Sequence, residues 1–218
     1  MKVTNIIFIA ILSFSLSGCA TFRKAEKAEY LENELTLTRK KLEECQNKSR
    51  DKIDTLLEAK KKLEEKLVSE LKDYKAKLEM TERGLVVTFL AEVFFDSGKA
   101  ELHQDSEETL RDVGEIFRED IPESYHMRIE GHTDNEPIKY SPWKSNWELA
   151  SARALAVLHF FIDECGIAPG RISAESYGEH HPVVDNSTPE GKRENRRVEI
   201  IIYPSQKIKE KALTEQNL

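Results

Sequence analysis

Three hydrophobic patterns follow one another along this chain, and each predicts a different kind of structure. Residues 6–16 form a short, nearly continuous apolar run that follows a basic residue. Residues 22–80 place apolar residues three and four apart among many charged ones, which is the spacing of a helical seam. Beyond Gly84 the chain contains short segments with the alternating or continuous apolar pattern of strands, interspersed with segments that have helical spacing. This mixture indicates an α+β domain.

The amino-terminal run has the features of a secretory signal. It is about eleven residues long, whereas about 20 are needed to span a bilayer. Small residues directly before Cys19 resemble the lipobox of bacterial lipoproteins. That resemblance implies that residues 1–18 are removed and that lipid is attached to Cys19, and Ala20 as the next residue favours sorting to the outer membrane. The alternatives are an uncleaved anchor or a plain signal with a chance cysteine.

The segment 19–82 is predicted to be helical because it has no Gly or Pro after Thr21 and is rich in Lys, Glu, Leu and Ala. About 55 residues at roughly 1.5 Å each would reach about 80 Å. Two alternatives stay open: a parallel oligomer through residues 30–80, or a solitary charged helix that acts as a spacer. Cys45 could bridge to its twin or simply be buried, and the state of Cys165 is equally open. The predicted seam contains Leu31, Leu35, Thr38, Leu42, Cys45, Leu56, Ala59, Leu63, Leu67, Leu71 and Leu78.

Residues 84–204 are predicted to form a compact α+β domain, followed by a polar tail at 205–218. Two sequence pairs have the spacing of helix capping boxes, Asp105 with Glu108 and Ser145 with Glu148. The order β-α-β-α-β-β predicts helices packed on a mixed sheet. The predicted strands are 85–90, 93–95, 126–130, 172–177 and 198–203, with a polar loop at 180–193.

Composition limits the classes of function. Charged residues make up 33% of the chain and hydrophobic ones 39%, because the charged helix contributes little core. With 33 Lys and Arg against 40 Asp and Glu, the net charge of −7 argues against nucleic-acid binding, which needs a basic face. Three cysteines are too few for a disulfide scaffold.

Catalytic and metal-binding patterns are weak in this sequence. His132 and Asp134 lie close together, and His180 and His181 add further imidazoles, but no zinc motif or cysteine ligand pair accompanies them. The sequence also has no nucleophile elbow and no phosphate-binding loop. We therefore expect no enzyme activity, no metal and no cofactor, and we expect His132 to hydrogen-bond the backbone at a strand end.

Four motifs in order resemble the OmpA-like peptidoglycan-binding domain, the family of OmpA, Pal and MotB. They are residues 95–102 (FDSGKAEL), 130–134 (EGHTD), 146–154 (NWELASARA) and 195–199 (NRRVE). The runs GHTDNEPI and SNWEL are most similar to the MotB branch. The resemblance covers about 115 residues and implies the same α+β fold.

The resemblance also implies a ligand, the diaminopimelate of the peptidoglycan stem peptide, which ends in an ammonium and a carboxylate. Asp134 would accept the ammonium, and the planar guanidinium of Arg153 would grip the carboxylate. Asn146 and Leu149 would shape the pocket. Thr133 is a further expected site residue. The turn at Asp96 and Ser97 would donate backbone hydrogen bonds to the ligand carboxylate, and Arg196 would lie at the rim of the pocket.

Together these features predict a non-enzymatic tether that is lipid-anchored in the outer membrane, faces the periplasm and binds peptidoglycan. The alternative is a MotB-like accessory protein of a motility machine or another envelope machine. A proton-conducting stator needs a full membrane helix with an intramembrane acid. Residues 6–16 are too short and contain no acid, so the accessory would be non-conducting.

Overall fold

The computed structural model describes the backbone of residues 3–73, 75–139 and 142–205, and the side chains of these ranges from residue 26 onward. The predicted signal peptide at 1–18, the lipid on Cys19 and almost all of the tail at 205–218 therefore lie outside the described side chains. Among the residues described, no helix is both long enough and apolar enough to cross a membrane.

The chain divides into two units, Met1–Asp51 and Lys52–Leu218. The first unit is helical from residue 3 and belongs to helix α1, which runs over Val3–Lys66. Its described side chains, from residue 26, are all exposed, including the seam residues Leu31, Leu35 and Leu42. A long helical segment ahead of the folded domain is thus confirmed.

The second unit contains the last residues of α1 and the rest of the secondary structure. It holds a five-stranded mixed sheet with strand order β1-β2-β5-β3-β4. Only the β3 and β4 pair is parallel, and the other neighbours are antiparallel. The elements are α2 (Val68–Lys72), β1 (Ala76–Thr81), β2 (Gly84–Leu90), α3 (Glu107–Glu119), β3 (Tyr125–His132), α4 (Asn146–Asp163), β4 (Ile172–Gly178), α5 (Pro189–Asn195) and β5 (Arg197–Pro204).

Helices pack on one face of this sheet, as the α+β prediction requires. The core joins the inward side chains of β2, β3 and β5 to the apolar faces of α3 and α4. Leu110, Phe117 and Phe161 contribute from the helices, while Met127 and Ile200 contribute from the sheet, and all five are inaccessible to solvent. The predicted fold class is confirmed.

The predicted helix was too long at its carboxyl end. Residues 76–81 form strand β1, which pairs with β2 across a turn at Glu82 and Arg83. Leu78 lies opposite Val87 and joins the core, whereas its neighbour Lys77 is exposed. A leucine at this spacing fits the helical repeat and the strand alternation equally well, and pairing with β2 decides between them.

The second half of the predicted seam packs into the hydrophobic core of the second unit. Leu56, Ala59, Leu63 and Leu67 are buried in the same hydrophobic core as the sheet. Charged contacts accompany this packing: Lys66 Nζ lies 2.8 Å from Asp112 and 2.7 Å from Glu115 on α3, and Lys62 pairs with Asp120. The compact unit therefore begins at residue 52, and not at 84 as the sequence predicted.

Three local predictions were also wrong. Residues 91–93 form a 3-10 turn, and Phe95 makes only an isolated bridge to Leu102, so no strand covers 93–95. Asp105 does not cap α3, because Gln104–Ser106 is itself a 3-10 turn that leads into the helix. The polar loop at 180–193 contains α5, whose first turn is capped by Thr188 Oγ1 accepting from Gly191 N at 3.0 Å.

Gly131 brings strand β3 and helix α4 into close contact. A Cβ atom at this position would lie 2.1 Å from the carbonyl oxygen of Ala150, so only glycine fits. Since the residues after β3 and the first turns of α4 carry the predicted site, this contact determines how near they lie to each other.

Candidate functional site

A cleft of about 630 Å³ opens where strand β3 ends. Its walls are the loop after β3, the first turns of α4, the turn after Phe95 and the residue that precedes β5. Seven of the eight residues predicted to bind ligand line it: Ser97, Thr133, Asp134, Asn146, Leu149, Arg153 and Arg196.

Asp134 provides the cleft's acid. The residue is only 6% exposed. Its Oδ1 accepts a hydrogen bond from the backbone N–H of Glu136 at 3.0 Å, which folds the loop back on itself. Its Oδ2 accepts a hydrogen bond from Arg196 Nη1, and the Arg196 side chain is 40% exposed. The nearly buried Asp134 carboxylate is therefore paired with the partly exposed, flexible side chain of Arg196, which extends into the cleft from its rim.

Arg153 provides the cleft's buried cation. It is 3% exposed, and its guanidinium lies 5.2 Å from the centre of the Phe95 ring. Nε donates to the Lys99 carbonyl at 2.9 Å and Nη2 to the Asp96 carbonyl at 3.2 Å. Burial and, to a smaller extent, the nearby Arg196 together lower the pKa of Arg153 to about 10, and Asp134 partly opposes the shift. Arg153 is still protonated at neutral pH, and its hydrogen bonds to the residues that the structure describes use Nε and Nη2 and leave Nη1 available.

Helix α4 begins where the sequence predicted. Ser145 Oγ accepts from the backbone N–H of Glu148 at 3.3 Å. The Glu148 carboxylate in turn accepts from the backbone N–H of Lys144 at 2.8 Å, one residue before the expected donor. This cap determines the first turn of α4 and hence the position of Arg153, two turns along the helix.

Asn146 organises the acidic loop. Its amide donates to the carbonyl oxygens of Glu136 at 3.0 Å and Asp134 at 3.4 Å, and to the Glu179 carboxylate. Leu149 is buried one turn further along α4 and supplies an apolar wall. Asn146 thus holds the loop that forms one wall of the cleft, and Leu149 lines the cleft itself.

Thr133 and Asp96 differ in how they relate to the cleft. Thr133 is buried, and its Oγ1 has no hydrogen-bond partner among the residues that the structure describes. Asp96 does not line the cleft: its carboxylate is exposed and pairs with Lys99 Nζ at 2.8 Å and His103 Nε2 at 3.1 Å. Its carbonyl oxygen, which holds Arg153, is the part that serves the site.

Sequence reasoning missed several cleft residues. Phe95 stands beneath the Arg153 guanidinium, and Pro137, Ile138 and Lys139 complete the wall beside Asp134. Phe95 was part of a recognised motif, but nothing in the sequence indicated that its ring would meet an arginine 58 positions away. Glu92, which also lines the cleft, is held by Arg193 Nε at 2.9 Å.

The cleft therefore contains a nearly buried anion, Asp134, and a buried cation, Arg153, with an apolar wall at Leu149. Such a cleft can hold a small group that carries both charges. The fold is α+β, and this cleft has the concave, partly apolar form of a site for a small ligand.

Comparisons with known proteins agree with this class. The model of the OmpA family matches residues 94–196. "Motility protein B" of Bacillus subtilis is 36% identical over 141 residues, which are 64% of this chain and 53% of that protein. "Outer-membrane lipoprotein YfiB" of Pseudomonas aeruginosa is 34% identical over 125 residues, 57% of this chain and 70% of that protein. This chain belongs to the OmpA family, as its motifs predicted.

A solved structure is also similar. It is described as the cell wall anchor of the T6SS from Pseudomonas aeruginosa. Its TM-score is 0.58 at 29% sequence identity, over 66% of this chain and 97% of that one. By contrast, this chain spans only about half the length of the Bacillus motility protein.

Proposed function

We propose that this protein binds peptidoglycan noncovalently by gripping the zwitterionic end of diaminopimelate in its stem peptide. The observation that carries the proposal is the convergence of the Asp134 carboxylate and the Arg153 guanidinium in one cleft. Membership of the OmpA family and the similarity to a structure described as a cell wall anchor support it.

The ligand's ammonium replaces the Arg196 guanidinium at Asp134. The two cations compete for the same Oδ2, and Arg196 can leave because much of its side chain is already in solvent. The ligand's carboxylate meets Arg153 through Nη1 and the turn at 97–98. Hydrogen bonds between ionised groups are about twice as strong as neutral ones, and most of the specificity comes from pairing both charges at once.

Thr133 and Leu149 complete the pocket. The Thr133 hydroxyl, which lacks a described partner, bonds a polar atom of the stem peptide, and Leu149 packs against the aliphatic part of diaminopimelate. Each contact is modest, but many copies that face a polymer of repeating sites hold it firmly. We propose that this binding is non-enzymatic, as the sequence predicts.

We further propose that lipid on Cys19 anchors the protein in the outer membrane and that the helix spans the space to the cell wall. The name of the relative "Outer-membrane lipoprotein YfiB" supports this reading. The similarity to "Motility protein B" supports the second candidate equally, a non-conducting accessory of a motility machine or another envelope machine.

Self-association, if it occurs through the seam, involves the first unit. Leu31, Leu35 and Leu42 are exposed, and so is Cys45. Five later seam residues lie in the chain's own core, so the segment free to pair is shorter than the predicted 30–80. Exposed leucines at heptad spacing in a charged helix favour a partner helix.

Pull-down with purified peptidoglycan tests the binding site. We expect Asp134→Asn and Arg153→Gln each to abolish sedimentation with the polymer and free diaminopimelate to release the unaltered protein. Asp163→Asn, an exposed acid on α4, is the matched control and should bind normally. Unchanged binding by both site variants would refute the assignment.

Fractionation tests the anchor and separates the two candidates. Cys19→Ser should move the protein from the membrane fraction to the soluble periplasmic fraction. Outer-membrane density together with normal motility of a deletion strain would support the tether. Inner-membrane density together with a motility defect would support the accessory protein.

A further inference from the structure

The sheet face opposite the helices carries a buried polar cluster that the peptidoglycan site does not use. Along β3, Met127 and Ile129 point into the core, so Glu130 and His132 point to the other face. Glu199 of β5 is paired directly with Glu130 in the sheet register. The three residues are each at least nine-tenths buried, although none is apolar.

Arginines hold the two carboxylates. Arg83 bridges them, with Nη1 2.8 Å from Glu130 and Nη2 2.5 Å from Glu199. Arg197 Nε donates a hydrogen bond to Glu199 Oε1 at 2.7 Å, whereas Arg128 Nε lies 2.8 Å from Glu130 Oε1 as an ion pair without hydrogen-bond geometry. Burial raises the pKa of the Glu130 and Glu199 carboxyls, but the neighbouring cationic side chains outweigh it and both pKa values fall below the ordinary value. Both glutamates are therefore anionic at neutral pH.

The imidazole of His132 is buried without a hydrogen-bond partner among the described residues. It is 3% exposed, and neither ring nitrogen has a hydrogen-bond partner among the described residues. The expected bond from His132 to the backbone is absent from this set. Nε2 lies 3.7 Å from Glu130 Oε2 and 4.0 Å from Glu199 Oε1, too far for hydrogen bonds. The ring is held in place by stacking on Tyr177 at 5.2 Å.

We propose that Glu130, His132 and Glu199 form a binding site for a divalent transition-metal ion of the zinc type. One donor atom from each residue lies within 4.8 Å of the others. Zinc bonds of about 2.0–2.2 Å place neighbouring ligand atoms about 3.3–3.6 Å apart, so side-chain shifts of up to about 1 Å complete the site. An imidazole with two carboxylates is a donor set that zinc accepts in proteins.

A second cleft, lined by Tyr177, His180 and His181, opens over the cluster and gives the ion an entry path. Arg128 and Arg197 stay in place as outer partners that orient the carboxylates, since an ionised carboxylate offers about four lone-pair sites.

Arg83 competes with the metal. Its side chain is 45% exposed, so it can swing away from the two glutamates when an ion enters. It follows that removing the Arg83 charge should tighten metal binding, whereas removing a ligand should weaken it. A purely structural ion-pair cluster has no such opposite pair of effects.

Calorimetric titration of the chelator-stripped full chain with ZnCl2 tests the proposal. We expect one Zn²⁺ bound at this site, at least about 100-fold weaker binding in His132→Gln, and several-fold tighter binding in Arg83→Gln. His159→Gln, which changes an exposed histidine on α4, should match the unaltered protein.

Three results would overturn the site: no Zn²⁺ binding by the unaltered chain, unchanged affinity and stoichiometry in His132→Gln, or weaker binding in Arg83→Gln. Circular dichroism checks the fold of each variant. Because the Arg83 side chain is 45% exposed and lies at a turn, its variant tests the proposal even if His132→Gln fails to fold. Peptidoglycan pull-down is a separate readout, so failure here leaves the peptidoglycan proposal standing.

Discussion

Leu63 offers the sharpest test of where the folded domain begins. It lies on the charged helix at a seam position, yet it is fully buried in the core of the second unit. Truncating a buried leucine to alanine removes its burial energy and leaves a cavity, at a cost of about 2–5 kcal/mol. Leu63→Ala should therefore destabilise the whole domain, although it lies 22 positions before the first predicted strand, which starts at residue 85.

Leu42 is the matched control. It is a leucine on the same helix and the same predicted seam, but it is 58% exposed. Leu42→Ala should change the free energy of unfolding by no more than about 0.5 kcal/mol, as exposed substitutions generally do.

Urea unfolding followed by tryptophan fluorescence measures both variants, because Trp143 and Trp147 lie in the domain. With a denaturant slope of about 1–3 kcal/mol/M, Leu63→Ala should lower the midpoint by about 1–2 M or more. The loss should not depend on protein concentration, since intrachain packing does not involve a second copy. Equal midpoints for the two variants, or a loss that disappears at high concentration, would refute the packing of α1 on the domain.

Three further outcomes follow from the site. Gly131→Ala should weaken peptidoglycan sedimentation and cost about 1–3 kcal/mol of stability, because its Cβ would meet the Ala150 carbonyl; unfolding curves and pull-down measure the two effects, and normal values in both would contradict the close contact. Arg196→Gln should bind peptidoglycan at least as tightly as the unaltered protein, since it frees Asp134 for the ligand's ammonium; lost binding would instead make Arg196 a ligand contact. Ser145→Ala should cost about 1 kcal/mol in thermal unfolding through loss of the α4 cap, and an unchanged melting temperature would count against that role.

Many residues of this site could be predicted from the sequence because each lies in a short segment whose local structure the sequence specifies. A capping serine determines the start of α4, and the helical repeat then places Arg153 on the same side as Leu149. Asp134 directly follows a strand, where the chain must turn. The motifs also indicated that these pieces belong together, although they could not show that Asp96 would contribute its carbonyl oxygen and turn its carboxylate to solvent.

The sequence by itself determined the period of each segment: a charged helix first, then strands and helices in order, with an acid and a base in recognisable motifs. Only the tertiary structure decided what each apolar or polar face meets. Leu63 became core and Leu42 stayed exposed although their patterns match, because burial depends on which surface lies opposite and periodicity does not encode that. Likewise Glu199 stands far from Glu130 and His132 in the chain, and only the pairing of β3 with β5 brings it beside them.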